Sequence, residues 1–234
     1  MTRSDHDRRI AAMFDRVAPR YDVLNRILSA GRDIAWRRRA ASLARLGPEE
    51  IALDVGVGSG DLAFDLLDVS APTARVVGVD LSSAMLDLVV HRADVRAERR
   101  FSGLLANGEH LPFADATFDR VVAGFTVRNF GDLAAGLRDL RRVLRGGGRA
   151  VILELATPAD RVVRATYGVY FERITPLIAL MLGGDPEAYR YLPRSVAAFP
   201  DADRLAALMA DAGFARVRYE RLSLGIAAIH TGEA

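Results

Sequence analysis

Cysteine is absent from the 234 residues, which excludes disulfides, thiol nucleophiles and metal sites built on thiolate. Lysine is absent too, so all 32 basic residues are arginine, against 30 acids. Codon bias in a GC-rich genome produces such a chain. The runs Arg37-Arg38-Arg39 and Arg99-Arg100 suit phosphate or an anionic membrane surface. No arginine run is interleaved with aromatics as in nucleic-acid platforms, so no nucleic-acid partner is expected. Long hydrophobic runs are also lacking. The most apolar stretch, residues 174–182, is far too short to span a bilayer, and the polar residues 1–9 carry no signal-peptide pattern. The expected location is cytoplasmic, at most peripheral at the inner face of the cell membrane. With 50% hydrophobic and 26% charged residues, the chain is able to bury the core of one α/β domain.

What the chain does have is an apolar run ending in an acid and a glycine turn, Leu53-Asp54-Val55-Gly56-Val57-Gly58-Ser59-Gly60-Asp61. One strand–helix–strand unit later comes Val76-Val77-Gly78-Val79-Asp80. Glycines let backbone approach a ligand where a Cβ would collide. An acid at the end of the neighbouring parallel strand, here Asp80, is placed to accept two hydrogen bonds from a ribose diol. Dinucleotide sites use Gly-x-Gly-x-x-Gly and set a pyrophosphate on the helix N-terminus. Here the glycines alternate strictly, Asp61 opens the following helix, and Asp54 precedes the turn. Those acids would repel a pyrophosphate and suit a cofactor bearing a sulfonium and an ammonium, which is S-adenosylmethionine.

Strand and helix alternate from residue 51. Strands are predicted near 51–55, 75–79, 101–106, 119–124 and 149–155, and helices near 61–68, 83–97 and 132–145. Helices are expected from Pro158 to residue 182, followed by a loop rich in tyrosine and proline. A helix near 201–212 and two strands, 214–222 and 224–230, end the pattern. Before it, residues 5–46 read as two or three helices, with Pro19 breaking the first pair and Gly47-Pro48 closing the set. Alternation implies a parallel sheet; the last two strands imply a closing antiparallel hairpin. The fold class is therefore α/β, the class I methyltransferase layout, Rossmann-like with a mostly parallel seven-stranded sheet. One domain is expected: an N-terminal helical lid (1–47), a cofactor half (48–156) and a substrate-side part (157–234).

Other candidates follow from position. Asn107-Gly108-Glu109, after the third strand, reads either as an adenine contact or as a simple turn. Arg128-Asn129, after Gly124 at the end of the fourth strand, either holds an oxygen anion on the ligand edge of the sheet or serves as a surface arginine and a helix cap. Tyr21 and Asn25 share a helix face, as part of a lid or as ordinary helix polar residues. His230 reads as half-buried packing, with acid–base work in reserve.

Several of these stretches together resemble the menaquinone and ubiquinone biosynthesis C-methyltransferase family, over about residues 13–232. The markers are Phe14-Asp15-Arg16-Val17-Ala18-Pro19-Arg20-Tyr21-Asp22-Val23-Leu24-Asn25, Trp36-Arg37, Asn107-Gly108-Glu109-His110-Leu111-Pro112-Phe113, Arg128-Asn129, Tyr191-Leu192 and Gly225-Ile226-Ala227-Ala228-Ile229-His230. The chain departs from the family pattern at Asp33, where histidine is usual, at Ala156, where serine is usual, and at Ser59, where threonine is usual. The resemblance implies methyl transfer from S-adenosylmethionine to a ring carbon of a polyprenylated quinol. It implies cofactor contacts at Ser59, Asp80, Asn107, Gly108 and Gly124, beside Asp54, Gly56 and Gly58 from the turn. The expected substrate is demethylmenaquinol, with a 2-methoxy-6-polyprenyl-1,4-benzoquinol or another small molecule as alternative. The expected catalytic groups are Arg128 and Asn129 at a phenolate, with Tyr21 or a water moving the proton. Residues 174–182 read as a buried helix, a homodimer contact, or a membrane foot for the prenyl tail.

Overall fold

The computed structural model describes residues 5–158, 160, 163, 164, 166, 168 and 186–234. Residues 174–182 lie outside them, as do nearly all of the helices expected between Pro158 and residue 182. Seven strands form one sheet: β1 (Ile51–Val55), β2 (Arg75–Asp80), β3 (Phe101–Leu105), β4 (Phe118–Gly124), β5 (Leu144–Leu155), β6 (Ala215–Leu222) and β7 (Ala227–Glu233), in the order β3-β2-β1-β4-β5-β7-β6. The first five strands run parallel, and β7 is antiparallel to both β5 and β6. The order reverses at β1, so its carboxyl end and that of β4 open the crevice where such sheets bind ligands.

Both faces of the sheet are covered, so the central strands are almost continuously apolar. Alternate residues feed opposite cores. Ala52, Val151 and Leu153 pack with α3 (Arg32–Ala44), α4 (Asp61–Val69) and α5 (Ser83–Val95). Leu53, Val121 and Ile152 pack with α6 (Leu133–Val143) and, past α7 (Pro186–Ala198), with α8 (Ala202–Asp211). Helix starts follow from short polar side chains accepting N-terminal amides: Ser82 from Met85, Asp132 from Ala135 and Asp201 from Arg204. Ahead of the sheet lie α1 (Asp5–Val17), a 3-10 turn at Ala18–Arg20 and α2 (Tyr21–Leu28). Proline removes an amide donor, which ends α1 at this turn.

Three boundaries differ from expectation. The helix expected to 145 ends at Val143, and Leu144 already pairs with Phe118; the ladder shifts before resuming at Arg120–Arg149, which absorbs Gly146-Gly147-Gly148. The tyrosine- and proline-rich stretch is helix α7, with Pro193 inside it. Tyr191, Leu192, Ser195, Val196 and Phe199 recur at helical spacing, and Ser195 and Val196 are buried. That periodicity outweighs the amide lost at proline. A 3-10 turn at Ser223–Gly225 separates β6 from β7, so the last strand begins at Ala227. No helix among the described residues is long and apolar enough to cross a membrane.

Candidate active site

The glycine turn is shaped by backbone. Gly56, Gly58 and Gly60 have φ of 68°, 53° and 89°, in the left-handed region that side chains disfavour. Gly56 N and Val57 N both donate to Val79 O, at 2.8 and 2.9 Å, which locks the turn to the end of β2. Gly58 N donates to Asp80 Oδ2 and Ser82 N to Asp80 Oδ1, both at 2.9 Å. The Leu81 amide donates to the same carboxylate, so three backbone donors fix the orientation of Asp80. Asp80 borders a cavity of about 600 Å³ with Gly56, Gly58, Asn107, Gly108 and Phe130, roofed by Ile10, Phe14 and Tyr21 of the N-terminal helices. The Asn107 amide is engaged inside the protein: Nδ2 donates to Asp7 at 3.0 Å and Oδ1 accepts from Glu109 N at 2.8 Å. It ties α1 to the turn after β3, whose residues Ala106, Asn107, Gly108 and Glu109 border the cavity.

A smaller cavity of about 290 Å³ continues from the turn, lined by Tyr21, Asp54, Ser59, Asp61, Gly124 and Arg37. Asp54 is buried, and its Oδ2 has no hydrogen-bond partner among the described residues. Burial, reinforced by the Asp80 charge, pushes its carboxyl up to about 7. A buried acid in that position is relieved by a cation beside it, so the residues present fit a ligand carrying an ammonium and a sulfonium. Asp61 follows Gly60 at the start of α4 and is ringed by arginines: Arg92 at 2.8 Å, Arg37 at 3.4 Å and Arg26 at 3.7 Å. Its charge is partly compensated, so the argument from repulsion rests more on Asp54 than on Asp61. The Ser59 hydroxyl donates to Asp22 at 2.5 Å, fastening α2 to the turn.

Phe125 borders both the first cavity and a third of about 900 Å³. With φ of 59° it is a non-glycine residue in the left-handed region, strain of the kind that collects at functional sites. The third cavity is lined by Asn25, Leu28, Asp33, Trp36, Arg128 and Leu192, among others, and is mostly apolar. Arg128 is buried, donates to Phe125 O and pairs through the same nitrogen with Glu154 at 2.8 Å. Burial works against its charge, but Glu154 and Tyr21 outweigh it and the guanidinium is raised further above its ordinary value. Burial also raises the Glu154 carboxyl, to about 7, against the pull of Arg128. Beside it, Asn129 Oδ1 accepts from Tyr191 at 3.0 Å, and its backbone carbonyl bonds His6. Asp33 pairs with Arg37 and accepts from Ser29 at 2.6 Å.

The predicted residues thus fall on two connected spaces: Asp54, Gly56, Gly58, Ser59, Asp80, Asn107, Gly108, Gly124 and Tyr21 around the first two cavities, Arg128 on the third, with Asn129 reaching the first. Sequence reasoning missed Glu154 and Phe125. Glu154 stands alone in the apolar run Ala150-Val151-Ile152-Leu153-Glu154-Leu155, and an acid inside a central strand was the available signal. His230 is fully buried, bonded to Ala202 O at 2.8 Å and packed at a tilt against the Tyr219 ring. Burial lowers its titration, and it lines none of the three cavities.

Comparison with known proteins now decides the family. The pattern described for the ubiE/COQ5 methyltransferase family matches residues 1–234. The chain belongs to that family. It is 47% identical to a demethylmenaquinone methyltransferase of Thermus thermophilus, over 94% of this chain and 99% of the relative. It is 42% identical to a ubiquinone/menaquinone biosynthesis C-methyltransferase, UbiE, of Geobacter sulfurreducens, over 96% of this chain and 88% of the relative. In fold it is similar to a SAM-dependent methyltransferase of Thermotoga maritima, possibly a histamine N-methyltransferase, with a TM-score of 0.67 at 20% identity, covering 95% of this chain and 98% of that one. As a ubiE/COQ5 methyltransferase the chain uses S-adenosylmethionine, and the acid-flanked glycine turn suits that cofactor.

Proposed function

We propose that the protein methylates a ring carbon of demethylmenaquinol, giving menaquinol and S-adenosylhomocysteine. One observation carries the mechanism: a buried guanidinium, Arg128, borders an apolar cavity that shares the Phe125 wall with the cofactor cavity. S-adenosylmethionine, when bound, supplies an electrophilic methyl. Asp80 would hold its ribose, Asp54 its cationic end, and the turn of Gly56, Gly58 and Ser59, with Asn107, Gly108 and Gly124, would enclose the rest.

A quinol carbon is a poor nucleophile while both hydroxyls are protonated. Loss of one proton gives a phenolate that pushes electron density onto the adjacent carbon, and a fixed cation favours that anion. Arg128 supplies the cation. Its bonds to Phe125 O and Glu154 fix the guanidinium in the cavity wall, so it needs no reorganisation as charge develops. Asn129, bonded to Tyr191, orients the same edge, and Tyr21, which lines both cofactor-side cavities, is the proton carrier. Apolar walls suit a hydrocarbon tail, and a bilayer-borne substrate calls for peripheral membrane contact. Menaquinone chemistry is named for the Thermus relative and both quinones for the Geobacter one, so a methoxybenzoquinol is the competing acceptor.

The test incubates the protein and labelled S-adenosylmethionine with reduced demethylmenaquinone or the benzoquinol, and maps the product by NMR. Arg128→Ala is expected to lower turnover about a hundred-fold or more, as loss of one oxyanion donor does, with cofactor affinity by calorimetry retained. Higher pH should partly rescue it by ionising the quinol directly. Full turnover in that variant would refute the mechanism.

A further inference from the structure

Charge is divided unevenly along this chain. Residues 1–47 hold eleven arginines and five acids, a formal +6, whereas the remaining residues hold twenty-one arginines and twenty-five acids, a formal −4. The structure sorts the N-terminal charges. Four of the five acids bond to groups of the domain, Asp7 to Asn107, Asp15 to Ser82, Asp22 to Ser59 and Arg92, and Asp33 to Arg37, and of these four only Asp15 is exposed. Apart from the buried Arg37, the arginines of the same helices, Arg16, Arg20, Arg26, Arg32 and Arg38 among them, are exposed. The outer surface of this segment is therefore strongly basic.

Apolar side chains stand exposed on that surface. On α2, Val23 is 55% and Ile27 37% exposed, on the side of the helix away from Asn25 and Leu28, which line the third cavity. Leu224 is 79% exposed, the highest value of any large hydrophobic residue described. Ser223, Leu224 and Gly225 have φ of 47°, 60° and 89°, so two non-glycine residues are strained to hold this turn. Trp36 fixes it by donating from Nε1 to Ser223 Oγ at 3.0 Å. The elements that carry these side chains also wall the third cavity, α2 through Asn25 and Leu28 and the residues after the turn through Ile226, while Ile27 and Leu224 themselves stay outside its lining. Ala30 and Arg32 line it too and are exposed, so it opens at the α2–α3 connection.

We propose that this face is a docking surface for an anionic phospholipid bilayer, with Val23, Ile27 and Leu224 entering the headgroup region between arginines and the third cavity opening toward the lipid. Apolar side chains flanked by arginines are the composition of interfacial contacts, where apolar burial and attraction to anionic lipid act together. The purpose of the surface rests on the proposed polyprenylated quinol, whose tail would pass from bilayer to cavity without crossing water. The surface itself is read from charge, exposure and strain.

The experiment is flotation of the full chain with phosphatidylcholine vesicles, with or without phosphatidylglycerol, at low and high salt. The native protein is expected to float with anionic vesicles at low salt, and about tenfold less with neutral vesicles or at high salt. Ile27→Glu and Leu224→Glu should each weaken anionic binding about tenfold. Leu224→Gly separates docking from folding: glycine accepts the left-handed backbone freely, so thermal stability should hold or rise while flotation falls. S-adenosylmethionine affinity and turnover of a tail-less naphthoquinol should stay native in all three variants. Native protein that never floats, equal flotation on neutral and anionic vesicles, or variants that float undiminished would each overturn the proposal. Flotation as expected without turnover of any quinol would leave this surface standing and remove the proposed substrate.

Discussion

The cofactor-side cavities and the cavity behind Phe125 adjoin, yet they are built by opposite means. The first two take their shape from backbone: three left-handed glycines, amides aimed at Val79 O and Asp80, and strand ends set by the sheet. The third takes its shape from side chains on separate segments, α2, α3, the turn after β4, β5 and α7, held by the Arg128–Glu154 and Arg37–Asp33 ion pairs and a few hydrogen bonds. A site made of backbone tolerates change in side chains except at the glycines whose left-handed conformation shapes it. A site made of side chains is re-specified by a few substitutions, which is how one family fold accommodates different acceptors.

The largest expected effect lies on the side-chain cavity. Arg128→Ala leaves Glu154 as a buried carboxyl without its counter-charge, and removing one partner of a buried pair costs about 3–5 kcal/mol. Urea unfolding should show that loss, and adding Glu154→Gln should recover much of it while turnover stays low. If stability is not recovered, the two groups are not coupled and the contrast drawn here weakens. On the backbone side, a Cβ on Gly56 would lie 2.3 Å from the Thr126 side chain, at φ of 68°. Gly56→Ala is expected to cost about 3 kcal/mol through clash and strain, seen as a lowered Tm with S-adenosylmethionine binding impaired.

Asp80→Ala removes a charged acceptor worth about 1.5–3 kcal/mol, or roughly ten- to a hundred-fold in cofactor affinity. Calorimetry checks it, and unchanged affinity removes Asp80 from the site. A broader effect concerns pH. Burial holds Asp54 and Glu154 near 7, above their ordinary values. Between about 4 and 7 the folded protein therefore keeps protons that the unfolded chain has released. Stability contributed by these groups falls as pH rises through that window and levels off above it, by at most on the order of 1.4 kcal/mol per pH unit for each group. Chemical denaturation across pH should show the slope, and Asp54→Asn should reduce it. The smallest effect is expected for Ser59→Ala, which frees Asp22 of one hydrogen bond and costs about 1 kcal/mol, measured as faster amide exchange in α2 with little change in Tm.

The same contrast explains what could be read from the sequence. The glycine turn, Asp80 and the strand–helix alternation are local patterns, and local patterns dictate local backbone. The Arg128–Glu154 pair spans 26 residues and two strands, so nothing near either residue announces the other; only the register of β4 against β5 brings them together. Asn107 was legible as a turn residue, but its bond to Asp7, 100 residues away, was not. In α7, proline and tyrosine masked a helical period that becomes plain once Tyr191 meets Asn129 and Val196 is buried.

The acids that bond the N-terminal helices to the domain have a kinetic meaning. Ile10, Phe14 and Tyr21 roof the cofactor cavity, and Asp7, Asp15 and Asp22 fasten that roof to the turn after β3, to the start of α5 and to the glycine turn. On the proposed assignment of the site, spent nucleoside would leave and fresh nucleoside enter past these latches. The rate of their release would then set a ceiling on turnover whatever the speed of methyl transfer. Since one latch closes on Ser59 within the cofactor turn itself, any shift of that turn as the nucleoside changes charge is passed directly to the roof.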